Sequence, residues 1–208
     1  MVRVRVPSSA GVPFGYAGRG AARPGTGAIR VAPAVRAPVT CPGMSTHDST
    51  ASDAHPRFAA ALKELGLDVP VRRFPDATRT AAEAAAAIGC DPSEIVKSLI
   101  FAADGEPVLV LMDGASRVDV ERVRAELGAG TVKRADADLV RATTGYAIGG
   151  VPPFGHLTRT RVLADRGLLA HDVVWAAAGT PHTVFPLDPG ALVEHAGGTL
   201  VDVRERTE

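Results

Sequence analysis

Two apolar runs near the middle of the chain do most to limit how it can fold. They are KSLIFAA, residues 97–103, and PVLVLMD, residues 107–113, with DGE between them. Short apolar runs joined by a turn that contains Asp-Gly are typical of a β-hairpin, and their near lack of polar side chains indicates buried strands. The sequence therefore predicts a sheet at the centre of the fold.

Helical patterns alternate with further strand patterns around this hairpin. Capping-box pairs, Thr80 with Glu83 and Asp91 with Glu94, mark two helix starts. Predicted helices are HPRFAAALKELG (55–66), TAAEAAAAIG (80–89), DPSEIVK (91–97), DVERVRAELG (119–128) and PGALVEHAG (189–197); predicted strands are TRVLAD (160–165), VVWAAAG (173–179), TVFPL (183–187) and GTLVDV (198–203). The alternation predicts a single α+β domain with a mixed sheet and short helices.

The N-terminal segment differs in composition from the rest of the chain. Residues 1–43 contain six arginines, no acidic residue and many Gly, Pro and Ala residues without periodicity, whereas the whole chain has 23 basic and 23 acidic side chains. We expect residues 1–50 to be a disordered extension and residues 51–208 to be the folded domain, which is then net acidic. Translation start at Met44, a solvated tail and an organelle-targeting peptide remain alternative explanations.

Sequence motifs of several common catalytic, metal-binding and membrane-spanning types are absent. Cys41 and Cys90 form neither a disulfide framework nor a CxxC pair, and the six histidines show no metal-binding spacing. There is no GxSxG elbow, no phosphate-binding loop, no apolar run long enough for a membrane span and no signal-peptide core. We therefore expect a cytoplasmic protein that works without a metal, a cofactor or a side-chain nucleophile.

Three features are candidates for a functional site. Lys97 enters an apolar strand, where it is either an edge lysine with its charge in water or a cation directed into a pocket. The segment GYAIGGVPPFGH, residues 145–156 and here called the glycine loop, is either a tight crossover or a surface of backbone donors for a ligand. His182 begins a predicted strand, and a lone histidine is more often structural than catalytic.

Taken together, these segments resemble a known family. EIVKSLIF, TTGYAIGGVPPFGH and AAAGTPHTVFPL, in this order and at these separations, are similar to the YbaK/EbsC family of aminoacyl-tRNA deacylases. That family is related to the editing domain inserted in bacterial prolyl-tRNA synthetases. The resemblance extends from about Leu65 to Val203; the glycine loop is its most specific part, and residues 1–50 have no counterpart in it.

The resemblance implies a fold, an activity and a set of site residues. The fold would be a mixed, partly barrel-like sheet flanked by short helices. The activity would be hydrolysis, in trans, of the ester of a mischarged tRNA, with tRNA(Pro) carrying a small wrong amino acid as the expected substrate. The implied catalytic residues are Lys97, Gly149 and Gly150; the implied substrate-binding residues are Phe74, Ser98, Pro153, Gly179, Thr180 and His182. No cofactor or metal is implied.

The implied partners and specificity have particular support in the sequence. Phe74 and Ala177 stand where relatives acting on Cys-tRNA(Pro) carry hydroxyl groups, which argues against cysteine and leaves alanine, serine, threonine or a small non-protein amino acid. Residues 133–166 carry six basic and three acidic side chains, a patch suited to the single-stranded 3′ end of tRNA. A synthetase or an elongation factor is a further candidate partner. The alternative function is a non-catalytic module that sequesters or presents aminoacyl-tRNA.

Overall fold

The secondary structure alternates short helices and strands along the chain. The structure, a computed structural model, describes residues 48–49, 53–78 and 80–206. The elements are β1 (Asp48–Ser49), α1 (Pro56–Glu64), β2 (Val71–Arg73), α2 (Ala81–Ile88), β3 (Val96–Ala103), β4 (Glu106–Asp113), α3 (Val120–Leu127), β5 (Val132–Arg134), α4 (Ala137–Thr144), β6 (Arg161–Asp165), β7 (Val174–Ala177), β8 (Thr183–Leu187), α5 (Pro189–Ala196) and β9 (Gly198–Val201). Three predictions concern positions outside the described residues, apart from the two residues of β1. They are the extension over residues 1–50, the alternative start at Met44 and the interpretation of Cys41.

The predicted hairpin is formed by β3 and β4, which pair antiparallel over their full lengths. Its turn is two residues long rather than three, because Glu106 already belongs to β4. Asp104 and Gly105 both have positive φ, 49° and 93°, as a tight two-residue turn requires. The Asp104 carboxylate also accepts hydrogen bonds from the backbone of Gly130 and Thr131, which ties the turn to the segment before β5.

The helix boundaries follow the caps expected from the sequence. Both capping boxes are present, Thr80 with Glu83 at α2 and Asp91 with Glu94 at the next turn. That second turn is a 3-10 turn, Pro92–Glu94, and not a longer helix, because β3 begins at Val96. The strand after it is therefore entered almost directly from a capped turn.

The described strands form two sheets, which confirms the α+β class. One is antiparallel, in the order β1-β2-β8-β7; the other is mixed, in the order β5-β3-β4-β6-β9, with β6 parallel to both β4 and β9. Neither sheet closes into a barrel. An isolated parallel bridge between Ile95 and Trp175 connects the two sheets, next to the start of β3.

The central strand β4 is covered on both faces. Leu109 and Leu111 belong to the larger core cluster, which lies between the sheets and includes side chains of α1 and α5. Val110 and Met112 alternate with them and pack in a second cluster with Val123 of α3. This double coverage explains the nearly continuous apolar sequence of β4. None of the described helices has the length and apolarity needed to cross a membrane.

Candidate active site

A cavity of about 490 Å³ lies where the start of β3 faces α2, the glycine loop and the β7–β8 turn. Its ionisable lining residues, among those that the structure describes, are Lys97 and Arg134, and none is a carboxylate. Hydroxyl groups are the other polar contribution, from Thr78, Thr80, Ser98, Thr180 and Thr183. A cavity lined by cations and hydroxyls suits a ligand with an anionic or carbonyl-oxygen group.

Lys97 is half-buried at the edge of β3. Its ammonium donates a hydrogen bond of 2.5 Å to the carbonyl oxygen of Ser116. Burial lowers the pKa of Lys97, the Asp113 carboxylate opposes this by raising it, and Arg134 and Arg117 lower it further. An ammonium has three donors, so two remain after the bond to Ser116. Lys97 thus combines a fixed position with free donor capacity.

Ser98 places a hydroxyl in the same cavity. By strand alternation it points to the side of Val96 and Ile100, whereas Lys97 points to the opposite side. Both residues border the cavity, and β5 pairs with β3 only from Phe101 to Ala103, so the β3 edge is open to the cavity before that point. The Ser98 Oγ atom is buried and has no hydrogen-bond partner among the described residues. A buried hydroxyl without a partner is unfavourable unless a ligand or water supplies one.

The glycine loop is held by bonds within itself. The Tyr146 hydroxyl donates to the carbonyl oxygen of Gly155 at 2.9 Å, and Nε2 of His156 lies 2.8 Å from the carbonyl oxygen of Pro152. Phe154 stacks on Phe58 of α1, with ring centroids 5.3 Å apart. These contacts hold the loop in one conformation against α1.

The two adjacent glycines of this loop have different surroundings. Gly149 is exposed, has φ 90° and lines the cavity, and its N–H has no acceptor among the described residues. Gly150 is buried, and a Cβ atom there would lie 2.8 Å from the Cα of Thr180. Its N–H already donates to the carbonyl oxygen of Ala147. Gly149 thus offers a free backbone donor, whereas Gly150 allows the loop to pack against the β7–β8 turn.

The structure brings together some of the predicted site residues and separates others. Lys97, Ser98, Gly149 and Thr180 line the cavity.

The other predicted site residues do not border it; they are Phe74, Gly150, Pro153, Gly179 and His182. Phe74 is buried, and its N–H donates to the carbonyl oxygen of His182. Gly179 packs on His55, since a Cβ atom on Gly179 would lie 2.3 Å from the Cβ atom of His55. Pro153 borders a second, more open groove, which is lined by the end of the glycine loop and by residues of α5. Their substrate-binding roles stay predictions.

Other lining residues were not singled out from the sequence. Trp175 borders the cavity, and the guanidinium of Arg72 lies over its ring at 4.6 Å from the centroid. Ile148, at the tip of the glycine loop, is 61% exposed. The one sequence signal for Trp175 is that the chain has a single tryptophan. Among the described residues, no group of three or more His, Cys, Asp or Glu side chains is placed to hold a metal ion.

The α+β fold places a cation, a buried hydroxyl and a backbone donor around one cavity. Comparison with known proteins identifies the family. The model of the aminoacyl-tRNA editing domain matches residues 75–194. The chain belongs to the aminoacyl-tRNA editing domain family, which confirms the resemblance seen in its sequence.

Individual relatives fall into two groups. The uncharacterized protein YwhH of Bacillus subtilis is 32% identical over 125 residues, which cover 60% of this chain and 79% of that protein. The proline--tRNA ligase of Streptococcus sanguinis is 30% identical over 190 residues, which cover 84% of this chain but 30% of the ligase. The chain therefore spans less than a third of the length of that synthetase.

Two solved structures share the fold. A protein described as a candidate trans-editing enzyme for prolyl tRNA synthetase is 38% identical, with a TM-score of 0.69 over 72% of this chain and 96% of that one. The hypothetical protein APE2540 is 33% identical, with a TM-score of 0.67 over 72% of this chain and 99% of the other. Both are similar in length to the part of this chain that the structure describes.

Proposed function

We propose that this protein hydrolyses the ester bond of mischarged aminoacyl-tRNA as a freestanding enzyme. The observation that carries the proposal is that Lys97, Ser98 and Gly149 border one cavity whose described lining contains no carboxylate. The Ser98 hydroxyl and the Gly149 N–H have no hydrogen-bond partner among the described residues. The family supports an editing role, and the coverage of nearly the whole trans-editing structure supports action in trans. We include a cytoplasmic location in the proposal.

The reaction needs no covalent intermediate. A water oxygen bonds to the ester carbonyl carbon, the carbonyl oxygen becomes an oxyanion, and the bond to the ribose oxygen then breaks. One proton of the attacking water passes to the departing ribose oxygen, the oxyanion returns to a carbonyl group, and the products are the free amino acid and tRNA with an intact 3′ end. An aminoacyl ester is already labile, so fixed donors and correct placement can provide most of the acceleration.

Each cavity group has a proposed part in this reaction. The N–H of Gly149 donates to the developing oxyanion, and its loop is rigid before the ligand arrives. The two remaining donors of the Lys97 ammonium bind the terminal phosphate or the carbonyl end of the substrate. Ser98 Oγ finds in the substrate the partner that the described protein residues do not supply. The neighbouring ribose hydroxyl orients the attacking water.

We further propose that the substrate is tRNA(Pro) carrying a small amino acid. The identity of the tRNA is supported by two relatives, a proline--tRNA ligase and a protein described as a candidate trans-editing enzyme for prolyl tRNA synthetase. The size of the amino acid follows from the cavity, which at about 490 Å³ must also admit the terminal nucleoside. Ala177 borders the cavity without a hydroxyl, so a cysteine-specific pocket is not expected. Each excess methylene is discriminated by only about 1–3 kcal/mol, so several small residues are expected to be cleaved.

The test is a panel of mischarged tRNAs, including Ala-, Ser-, Thr- and Cys-tRNA(Pro), with release of the amino acid as the readout. Lys97→Ala is expected to lower turnover by roughly 30- to 1000-fold, equivalent to ~2–4 kcal/mol, and Lys97→Arg to rescue little. Lys63→Ala is the matched control, because Lys63 is an exposed lysine of α1. Wild-type turnover in Lys97→Ala contradicts the mechanism, and binding without cleavage of any substrate favours the non-catalytic module.

A further inference from the structure

Asp113, the last residue of β4, is a buried carboxylate that the proposed reaction does not use. Its side chain is 2% exposed. One oxygen, Oδ1, accepts hydrogen bonds from the backbone N–H groups of Ala115 at 2.9 Å and Ser116 at 2.8 Å. A single carboxylate oxygen therefore fixes the turn that follows β4, residues 114–116.

The same turn holds the ammonium of Lys97. Ser116 donates its N–H to Asp113 and accepts the hydrogen bond of Lys97 at its carbonyl oxygen. Gly114 of this turn packs closely on the segment before β3, since a Cβ atom at Gly114 would lie 2.3 Å from the carbonyl oxygen of Pro92. The position of the ammonium is thus determined by a two-bond chain from a buried carboxylate.

Arg204 anchors the other oxygen of this carboxylate. Its guanidinium donates to Oδ2 of Asp113 at 2.5 Å and to Oδ1 of Asp165 at 3.2 Å. Asp165 is equally buried, but its remaining bonds are to Gly167 and Val203. One arginine therefore holds two buried carboxylates, of which only Asp113 contacts the turn that holds Lys97.

We propose that Asp113, anchored by Arg204, is the positioning residue that sets the place of the Lys97 ammonium in the cavity. Asp113 does not touch the substrate in this arrangement; it acts through Ser116. The inference rests on the proposed function for its effect on catalysis, whereas the placement of Lys97 can be measured without any substrate.

Electrostatics act in the same direction as the geometry. The charged groups that influence Lys97 are Asp113, Arg134 and Arg117, and only Asp113 raises its pKa. Loss of the Asp113 carboxylate leaves a half-buried ammonium with two cationic neighbours. The lysine is then expected to turn toward solvent, where water stabilises its charge.

Amine reactivity tests this placement directly. The chain has three lysines, Lys63, Lys97 and Lys133, so reductive methylation with ¹³C-formaldehyde gives three lysine signals in an NMR spectrum, each assigned with a Lys→Arg variant. In the wild type we expect Lys97 to be methylated most slowly, because half-burial and the hydrogen bond to Ser116 restrict access to its amine more than its lowered pKa favours reaction, while the other two lysines are exposed. In Asp113→Ala the Lys97 rate is expected to approach those of Lys63 and Lys133.

Asp165→Ala is the matched control for this experiment. It removes an equally buried carboxylate from the same arginine but leaves the bonds of Ala115 and Ser116 in place. The Lys97 rate is expected to stay near the wild-type value in this variant. Equal acceleration in both variants, or none in Asp113→Ala, overturns the proposal. If Asp113→Ala does not fold, Asp113→Asn replaces it: a smaller acceleration is expected there, and an unchanged rate overturns the proposal.

A double-mutant cycle gives the kinetic test. We expect Asp113→Ala to lower kcat/KM by about tenfold in the wild-type background, the scale of a lost hydrogen bond to a charged group. In the Lys97→Ala background the same substitution is expected to have no further effect, because Asp113 acts through Lys97. An equal loss in both backgrounds overturns the proposal. If no deacylation is detected in the wild type, the proposed function fails, and the methylation rates alone decide on Asp113.

Discussion

Tyr146 and Gly155 are joined by a hydrogen bond of 2.9 Å from the tyrosine hydroxyl to the glycine carbonyl oxygen, which closes the glycine loop nearly end to end. The bond fixes the loop before a ligand binds. Backbone donors stabilise an oxyanion best when they need no rearrangement, so this closure supports the donor role proposed for Gly149. Burial raises the pKa of Tyr146 to about 12, so the hydroxyl keeps its proton at any pH suitable for an assay.

Tyr146→Phe tests the contribution of this bond. The ring and its edge contact with His55 are retained, and only the hydroxyl is lost. We expect the free energy of unfolding to fall by about 1–2 kcal/mol, because the Gly155 carbonyl loses its donor. We also expect a several-fold lower turnover from a less rigid loop. Urea unfolding and deacylation kinetics measure the two effects, and an unchanged turnover in a destabilised variant would show that the bond serves the fold alone.

The adjacent glycines provide a second prediction. Gly150→Ala is expected to push the loop away from Thr180, because the new Cβ would lie 2.8 Å from a backbone atom that cannot rotate aside. Gly149→Ala meets only the Pro181 ring, at van der Waals distances of 3.9–4.0 Å, but adopts φ 90°, which costs of the order of 1 kcal/mol. We therefore expect Gly150→Ala to lower both Tm and turnover more than Gly149→Ala. The reverse order would mean that the contact with Thr180 does not position the loop.

Local signals made much of the fold predictable. The hairpin, both capping boxes and the strands β6 to β9 depend on residues close in sequence, and each was predicted within a few residues. Four short elements were not predicted: β1, β2, β5 and α4. The three β-strands have only two or three residues each, too few for a period to be visible. Division into two sheets depends on which distant strands pair, and no local pattern encodes that choice.

The candidate site was less predictable than the fold. The family resemblance indicated Lys97, Ser98, Gly149 and Thr180, and the structure places these four around one cavity. Phe74 and His182 lie away from the cavity wall, and their backbones bond to each other. Whether a residue near a motif faces the cavity depends on strand alternation and on the packing of distant elements. For the same reason no sequence pattern indicated that Trp175 reaches the cavity from β7.

Ser98→Ala separates binding from folding. The hydroxyl is buried without a partner among the described residues, so its removal is expected to leave stability unchanged or to raise it by about 1 kcal/mol. If the substrate supplies the partner, kcat/KM should fall by about tenfold at the same time. Thr183→Val is the control, since the Thr183 hydroxyl already bonds with that of Thr180 and its loss should destabilise the fold. A Ser98→Ala enzyme with full activity would contradict a role in substrate binding.

His156 is expected to make the stability of the domain depend on pH. Burial lowers the pKa of His156, although the bond to the Pro152 carbonyl partly opposes this. The unfolded chain then takes up a proton near pH 6.5, whereas the folded protein does so only at lower pH. The stabilising contribution is therefore complete above about pH 6.5 and is lost as the pH falls toward the folded pKa. The urea midpoint should fall more between pH 7.5 and pH 5.5 for the wild type than for His156→Gln. The glutamine keeps a donor for Pro152 but does not titrate. An equal fall in both proteins would assign the pH dependence to other groups.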